Sequence, residues 1–491
     1  RWSAALEPLA HATYRWLSER SDPVRFAEIR RAFATEDGGD LQRALDALTY
    51  HGLINVTGRG RRTRYDVAGH MFRDWYRSDR PTSGGPEPTG EGEKPGGQYQ
   101  VHIGRADHVA VGDRAQSVHR EDAQGWETAG EVRSPPAYDV LDLEIETRGP
   151  GRYEIQVVDA PTGPVRSSEV AFDPAEPQLQ AMFRRVQVGD VDAALLTEIG
   201  QRLHAFLFPA PVLAAYAASR EAARAHDRGL CVKLRLHQAE LGALPWELLY
   251  DPREENFVAL SNRTPLVRAL PGVMESPLLP ASPPWRLLLV TAYPEDRVEL
   301  AVEREREAIL NAVHPLVEAG QMTVDLLDRA TPTALLAALR TGVHWLHFIG
   351  HGEYDEATGR GALVLEREDH TSTRLDVQTL RHLLPGGYER AGARLRLVFL
   401  NACATAQVGM TPGTRGLAQT LVQAGVPTTI GMGRPIADQS ARAFSEGFYG
   451  ALSQGAWPFH AAVTEGRRRA MVESGIHSGD WAVPLLFMRT L

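Results

Sequence analysis

Only two cysteines occur in 491 residues, Cys231 and Cys403. Two thiols cannot build a disulfide framework or complete a zinc site unaided, so a reducing cytoplasm is the expected compartment. No apolar run reaches the length needed to span a bilayer, and Arg1-Trp2-Ser3-Ala4-Ala5 lacks the apolar core of a signal peptide. An initiator Met is also missing, as expected of a fragment of a longer protein. Excess basic charge is absent. The net charge of −9 argues against wholesale binding to nucleic acid or anionic membrane, although a local basic patch remains compatible with it. Nucleotide signatures are lacking too. No Gly-x-x-x-x-Gly-Lys-Ser/Thr run is present, and Gly431-Met432-Gly433 lacks the third glycine and the acidic residue of a dinucleotide fingerprint. No cofactor is expected. No fixed-period repeat is present, which excludes a tandem-repeat scaffold.

The chain is too long for one ordinary core, so two to four domains are expected of it. Residues 1–80 read as a small helical domain that ends in a hairpin. Helical spacing at Leu6, Leu9, Tyr14 and Leu17 is followed by helical segments at Phe26–Phe33 and Asp40–Leu48. Two short strands, Gly52–Val56 and Arg64–Val67, flank the basic turn at Gly58–Arg62. From Arg80 to Gln98 the composition shifts to Pro, Gly, Ser, Thr and Glu, which gives a flexible linker. The linker and a short β element between Val101 and Gly112 fill residues 81–136.

Residues 137–280 form an expected α+β subdomain. The alternating segments Leu141–Glu146 and Tyr153–Val157 make a hairpin about Arg148-Gly149-Pro150-Gly151, followed by helices near 191–207 and 212–225 and a strand at Val232–Leu236. Residues 281–491 then alternate strand and helix. Strands are expected at Arg286–Thr291, Met322–Leu327, Val343–Ile349, Leu395–Leu400, Thr428–Met432 and Val483–Met488. Such alternation predicts an α/β fold with a mostly parallel sheet flanked by helices.

Two of these strands end in reactive residues. Val343–Ile349 breaks into Gly350-His351-Gly352, and Leu395–Leu400 breaks into Asn401-Ala402-Cys403-Ala404-Thr405. Chemistry collects at the carboxyl edge of parallel strands. A thiol with a reference pKa near 8.5 needs a base to attack a carbonyl, and His351 is placed to supply one. The N–H groups of Gly352 and Cys403 are candidate oxyanion donors. A metal site is not expected: His344 and His347 point to opposite faces of a strand, and no Cys or carboxylate nearby completes the set. The alternative is that His351 and Cys403 are ordinary core residues. Cys231, within Leu230-Cys231-Val232-Lys233-Leu234, reads as a small buried apolar residue.

Trp345-Leu346-His347-Phe348-Ile349-Gly350-His351-Gly352 and Val398-Phe399-Leu400-Asn401-Ala402-Cys403-Ala404-Thr405 resemble the two signature segments of the CHAT family. These are caspase-like cysteine peptidases of the clan that includes caspases and separase. Leu244-Pro245-Trp246-Glu247 and Trp481-Ala482-Val483-Pro484-Leu485 also match the family pattern, and the resemblance covers roughly residues 137–491. It implies a caspase-like sheet, His351 as general base, Cys403 as nucleophile, and Gly352 and Cys403 as oxyanion donors. In that clan an acidic residue after the next strand often lines the pocket for a basic P1 side chain. Asp438 occupies the corresponding region, though it also reads as a helix N-cap, and a neutral or apolar P1 stays open.

Residues 1–80 resemble a winged-helix domain of the kind that follows the ATPase core of signalling ATPases. Arg59, Arg61, Arg62 and Arg64 suit phosphate contacts. The presumed recognition helix carries Asp40 and Asp46 against Arg43, which favours a protein–protein or interdomain role over DNA binding. The resemblances imply an endopeptidase acting on a dedicated protein substrate in a bacterial antiviral defence or signalling system, with an upstream sensor ATPase or activator as partner. The rival readings are a non-catalytic caspase-like scaffold and a DNA-binding regulator led by the winged helix.

Overall fold

An eleven-stranded mixed sheet organises the chain. The computed structural model describes residues 137–163, 165–270, 282–298, 300–355, 360–383, 395–402, 405, 416–455 and 458–489, together with short pieces between 12 and 67. The linker and β element expected at 81–136 lie outside the described residues, as does Cys403.

The strands of the large sheet are β1 (Tyr138–Gly149), β2 (Arg152–Asp159), β3 (Ser168–Ala171), β4 (Gly229–Leu236), β5 (Leu266–Ala269), β6 (Trp285–Thr291), β7 (Met322–Leu327), β8 (Trp345–Ile349), β9 (Leu397–Asn401), β10 (Thr428–Met432) and β11 (Pro484–Met488). Across the sheet they run β7-β6-β8-β9-β10-β11-β5-β4-β1-β2-β3. Only β10–β11, β1–β2 and β2–β3 pair antiparallel. The remaining neighbours pair parallel, as the strand–helix alternation predicts. The last strand, β11, inserts between β10 and β5 and so makes one sheet of residues 137–280 and 281–491. Helices α1 (Pro177–Gln187), α2 (Ala193–Leu207) and α3 (Ala210–Ala225) accompany the first strands. Helices α4 (Val302–Glu318), α5 (Pro332–Leu339), α6 (Leu417–Gln423), α7 (Asp438–Ser453) and α8 (Phe459–Ser474) accompany the later ones.

The central strands are buried on both faces, which is why they read as continuous apolar runs. Alternate side chains divide between two cores. Leu287, Leu289, Trp345, Phe399 and Ile430 pack with Ile309 and Val313 of α4, Phe444 and Phe448 of α7 and Val463 of α8. Leu288, Val290, Leu346, Phe348, Val398 and Leu400 pack on the other face with Leu335 of α5 and Leu417 and Leu421 of α6. That second core is closed by an antiparallel side sheet of Gly352–Asp355, Arg360–Glu366 and Ser372–Asp376, which sequence reasoning did not anticipate.

The Leu244–Glu247 and Trp481–Leu485 segments secure the closing strand. Trp246 is fully buried and donates its indole N–H to the Leu241 carbonyl at 2.7 Å. Buried Glu247 accepts from Arg268 Nε at 3.0 Å, with Arg467 at 3.7 Å on its other side. Arg467 in turn donates to the Pro484 carbonyl that begins β11. In the N-terminal region the described parts include a helix, Phe26–Ala32, and an antiparallel pairing of Ile54–Thr57 with Arg64–Val67; the expected basic turn between them lies outside the described residues.

Candidate active site

Strands β8 and β9 pair parallel with Ile349 opposite Asn401, so both end at the same level of the sheet edge. His351 lies two residues beyond the first end, and Cys403 two residues beyond the second in sequence, outside the described residues. Gly350 lets the chain leave β8. A Cβ there would sit 2.7 Å from Phe348 Cζ and 2.8 Å from the Ala292 carbonyl oxygen, closer than a side chain tolerates.

His351 is buried, 7% exposed, and burial lowers its pKa below the ordinary histidine value, so the ring is neutral near pH 7. Its Nε2 lies 2.8 Å from the Val298 carbonyl. A carbonyl only accepts, so Nε2 carries the hydrogen and Nδ1 is left as the basic nitrogen. Gly352 opens the first strand of the side sheet, opposite Leu363. The Val364 N–H donates to the His351 carbonyl, which makes Gly352–Leu363 a non-hydrogen-bonded pair. The Gly352 N–H therefore points away from the neighbouring strand, as an oxyanion donor requires.

Ala402 and Thr405, on either side of the undescribed pair 403–404, are tied to the sheet. Buried Thr405 donates its hydroxyl to the Ala402 carbonyl at 2.9 Å and accepts from the Met432 N–H of β10 at 3.0 Å. Asn401, the last residue of β9, donates its amide to both oxygens of buried Glu305 on α4, at 2.6 Å each. Glu305 also accepts from Ser445 Oγ at 2.8 Å and lies 3.6 Å from His347 Nε2. His347 Nδ1 is 3.0 Å from the Tyr449 hydroxyl on α7. Burial lowers the His347 pKa although the nearby carboxylate opposes it. His347 and His344 point to different partners, as the strand alternation predicts: His344 Nδ1 accepts from the Arg286 N–H at 3.0 Å.

Asp438 is the first residue of α7, with Ala437 at the N-cap and no side-chain cap, so the N-cap alternative is not realised. Its carboxyl borders a recess at the same sheet edge that also touches Glu305, Gly350, Asn401 and Ala402. Desolvation raises its pKa, and the Glu305 charge adds to the rise. The recess measures about 30 Å³, room for roughly one water, so a long side chain requires it to widen. A larger cavity of about 280 Å³ lies further along the sheet edge, between α1, the Leu244–Glu247 segment and Arg434.

Among the described residues, one group has metal-ligand spacing, Glu144, Glu146 and His237, and it is remote from His351 in the sheet order. Cys231 is fully buried in β4, where burial drives its thiol pKa strongly upward, as a packing cysteine requires. No described helix is long and apolar enough to cross a membrane.

The CHAT domain family model matches residues 197–488. The chain belongs to the CHAT domain family. Both strand ends, the Leu244–Glu247 segment and the closing strand fall inside the CHAT match. Among solved structures, the chain is similar to the Saccharomyces cerevisiae separase–securin complex at 14% identity and a TM-score of 0.34, covering 59% of this chain and 17% of the separase chain. It is also similar to gingipain R, an Arg-specific cysteine proteinase, at 12% identity and a TM-score of 0.38, covering 57% of this chain and 67% of that one. A complex of Porphyromonas gingivalis RgpB pro- and mature domains matches at 11% identity and a TM-score of 0.37, with 60% and 69% covered. None of the curated proteins matches.

The sequence signalled His351, Gly352 and Asp438, but not Val298, Glu305, Ser445 or Tyr449. Glu305 had a signal. It falls on the apolar stripe Val302, Ile309, Val313 of α4, where a carboxylate is out of place unless partnered.

Proposed function

We propose that this CHAT domain is a cysteine endopeptidase in which Cys403 is the nucleophile and His351 the base. The observation that carries the reading is the Nε2 bond from His351 to the Val298 carbonyl, at the level where β8 and β9 end together. In this reading His351 Nδ1 takes the thiol proton as Cys403 Sγ attacks the scissile carbonyl carbon. The N–H groups of Gly352 and Cys403 hold the oxyanion. The C–N bond then breaks and His351 returns its proton to the leaving amine, which leaves a thioester. Water, deprotonated by His351, attacks the thioester carbon; thiol and acid are released.

Asp438 is the specificity residue of the proposal: a carboxyl bordering the recess beside Asn401 and Ala402 suits a basic P1 side chain. The substrate is a dedicated protein. Residues 1–80, as a winged-helix module, relay activation from an upstream sensor ATPase in a cytoplasmic bacterial defence or signalling system. The test is a cleavage-site profile of a cell proteome exposed to wild type and to Cys403→Ala. New N-termini are expected with wild type alone, most of them after Lys or Arg. Equal cleavage of the cognate substrate by purified Cys403→Ala removes the mechanism.

A further inference from the structure

The Val298 carbonyl belongs to no strand or helix. It lies in the connection between β6, ending at Thr291, and α4, starting at Val302, so no backbone ladder fixes it against His351. Side chains do. Asp296 accepts from the Ser372 N–H at 2.7 Å and from the Ser372 hydroxyl at 2.8 Å. Arg297 donates to Glu353 Oε1 at 2.6 Å, and Arg374 Nε reaches the other Glu353 oxygen at 3.1 Å. The Glu295 N–H donates to the His370 carbonyl at 3.0 Å. Every one of these partners belongs to the side sheet or its connecting turn, and that sheet starts at the residue after His351. A short closed circuit results: His351, Gly352, Glu353, across the ion pair to Arg297, Val298, and back through the hydrogen bond to the His351 ring.

We propose that Arg297 and Glu353, with Asp296 clamped on Ser372, are positioning residues that hold the Val298 carbonyl on Nε2 and thereby fix the His351 tautomer. The proposal rests on His351 being the base, because its consequence is that Nδ1 is kept unprotonated. The ion pair is not needed to hold the fold. Arg297 and Glu353 side chains are 35% and 24% exposed, and pairs of that kind stabilise proteins by about 0–1 kcal/mol. Geometry of a small ring, not strength, is what the pair supplies.

The charged groups facing His351 are Arg297, which disfavours protonation, and Glu353 and Asp296, which favour it. That asymmetry gives a clean test. The full chain is prepared with ring-¹⁵N histidine, and the His351 resonances are identified by their loss in His351→Gln. Wild type is expected to show protonated Nε2 and unprotonated Nδ1 in the neutral ring. Arg297→Met and Glu353→Gln are each expected to mix the two tautomers in the same direction, shrinking the ¹⁵N separation between the ring nitrogens. Arg297→Lys restores it at least partly, and thermal midpoints move by no more than about 2 °C. If the two residues act only through charge, Arg297→Met raises the His351 pKa, Glu353→Gln lowers it, and both keep the wild-type tautomer. That pattern overturns the proposal. The readout needs no substrate, so it is separate from whether the chain cleaves proteins.

Discussion

The strand end that precedes Cys403 rests on a buried carboxylate, whereas the strand end that releases His351 is steadied by ion pairs near the surface. Under β9, Glu305 collects Asn401, Ser445 and His347 within a core where Asn401 and His347 are 8% and 0% exposed. Beside His351, Arg297 and Glu353 meet where water screens them. The two devices differ in what losing them does. A buried carboxylate and its donors have no solvent to fall back on, so removing one partner strands the others. Removing one member of the half-exposed pair leaves the other hydrated. The cysteine side is thus built as part of the core, and the histidine side as an adjustable attachment to it.

Three measurements press on that contrast. The largest effect is expected from Glu305→Ala, which leaves the Asn401 amide and the Ser445 hydroxyl without their acceptor and removes the carboxylate beside buried His347. A loss of about 3–5 kcal/mol in urea unfolding is expected; a loss below about 1 kcal/mol places the network among screened surface contacts instead. The next concerns pH. His460 on α8 is buried against the Tyr138 ring and its pKa is pushed down to about 4 by desolvation. The unfolded chain takes up this proton near pH 6.5, so the stability that neutral His460 contributes is complete above that value and lost as pH falls towards 4. The slope is worth at most about 3 kcal/mol for this residue, and burial adds a contribution of the same sign from His347. His460→Phe is expected to flatten the fall between pH 6.5 and pH 4, and an unchanged slope counts against a neutral buried ring. The smallest effect is the stability change of Arg297→Met, within about 1 kcal/mol.

The parallel sheet was legible because its central strands carry side chains into cores on both faces: Thr428–Met432, buried throughout, occurs at the expected residues, and so does the half-exposed edge strand Met322–Leu327. The position of β11 between β10 and β5 was not, since an apolar pentapeptide such as Pro484–Met488 does not say which neighbours it has. The side sheet was missed because its strands mix Glu353, Glu366, Arg374 and Asp376 with apolar residues, and two of those charges face the connection that carries Val298. His351 stood out because Gly350 and Gly352 interrupt an apolar run around it. Glu305 was overlooked because the charged run Val302-Glu303-Arg304-Glu305-Arg306-Glu307 reads as a solvated helix start and hides its place on the apolar stripe of α4. Val298 could not be singled out at all: a backbone carbonyl acts through its place, and any side chain can carry it.

The central claim is that His351 acts as the base for Cys403, and the most direct measurement is iodoacetamide alkylation of each cysteine, followed by mass spectrometry from pH 5 to pH 9 in wild type and His351→Ala. Cys403 is expected to react at least about tenfold faster than buried Cys231 at pH 7, with the advantage lost in His351→Ala. Identical Cys403 rates in the two proteins across the whole pH range would contradict the account.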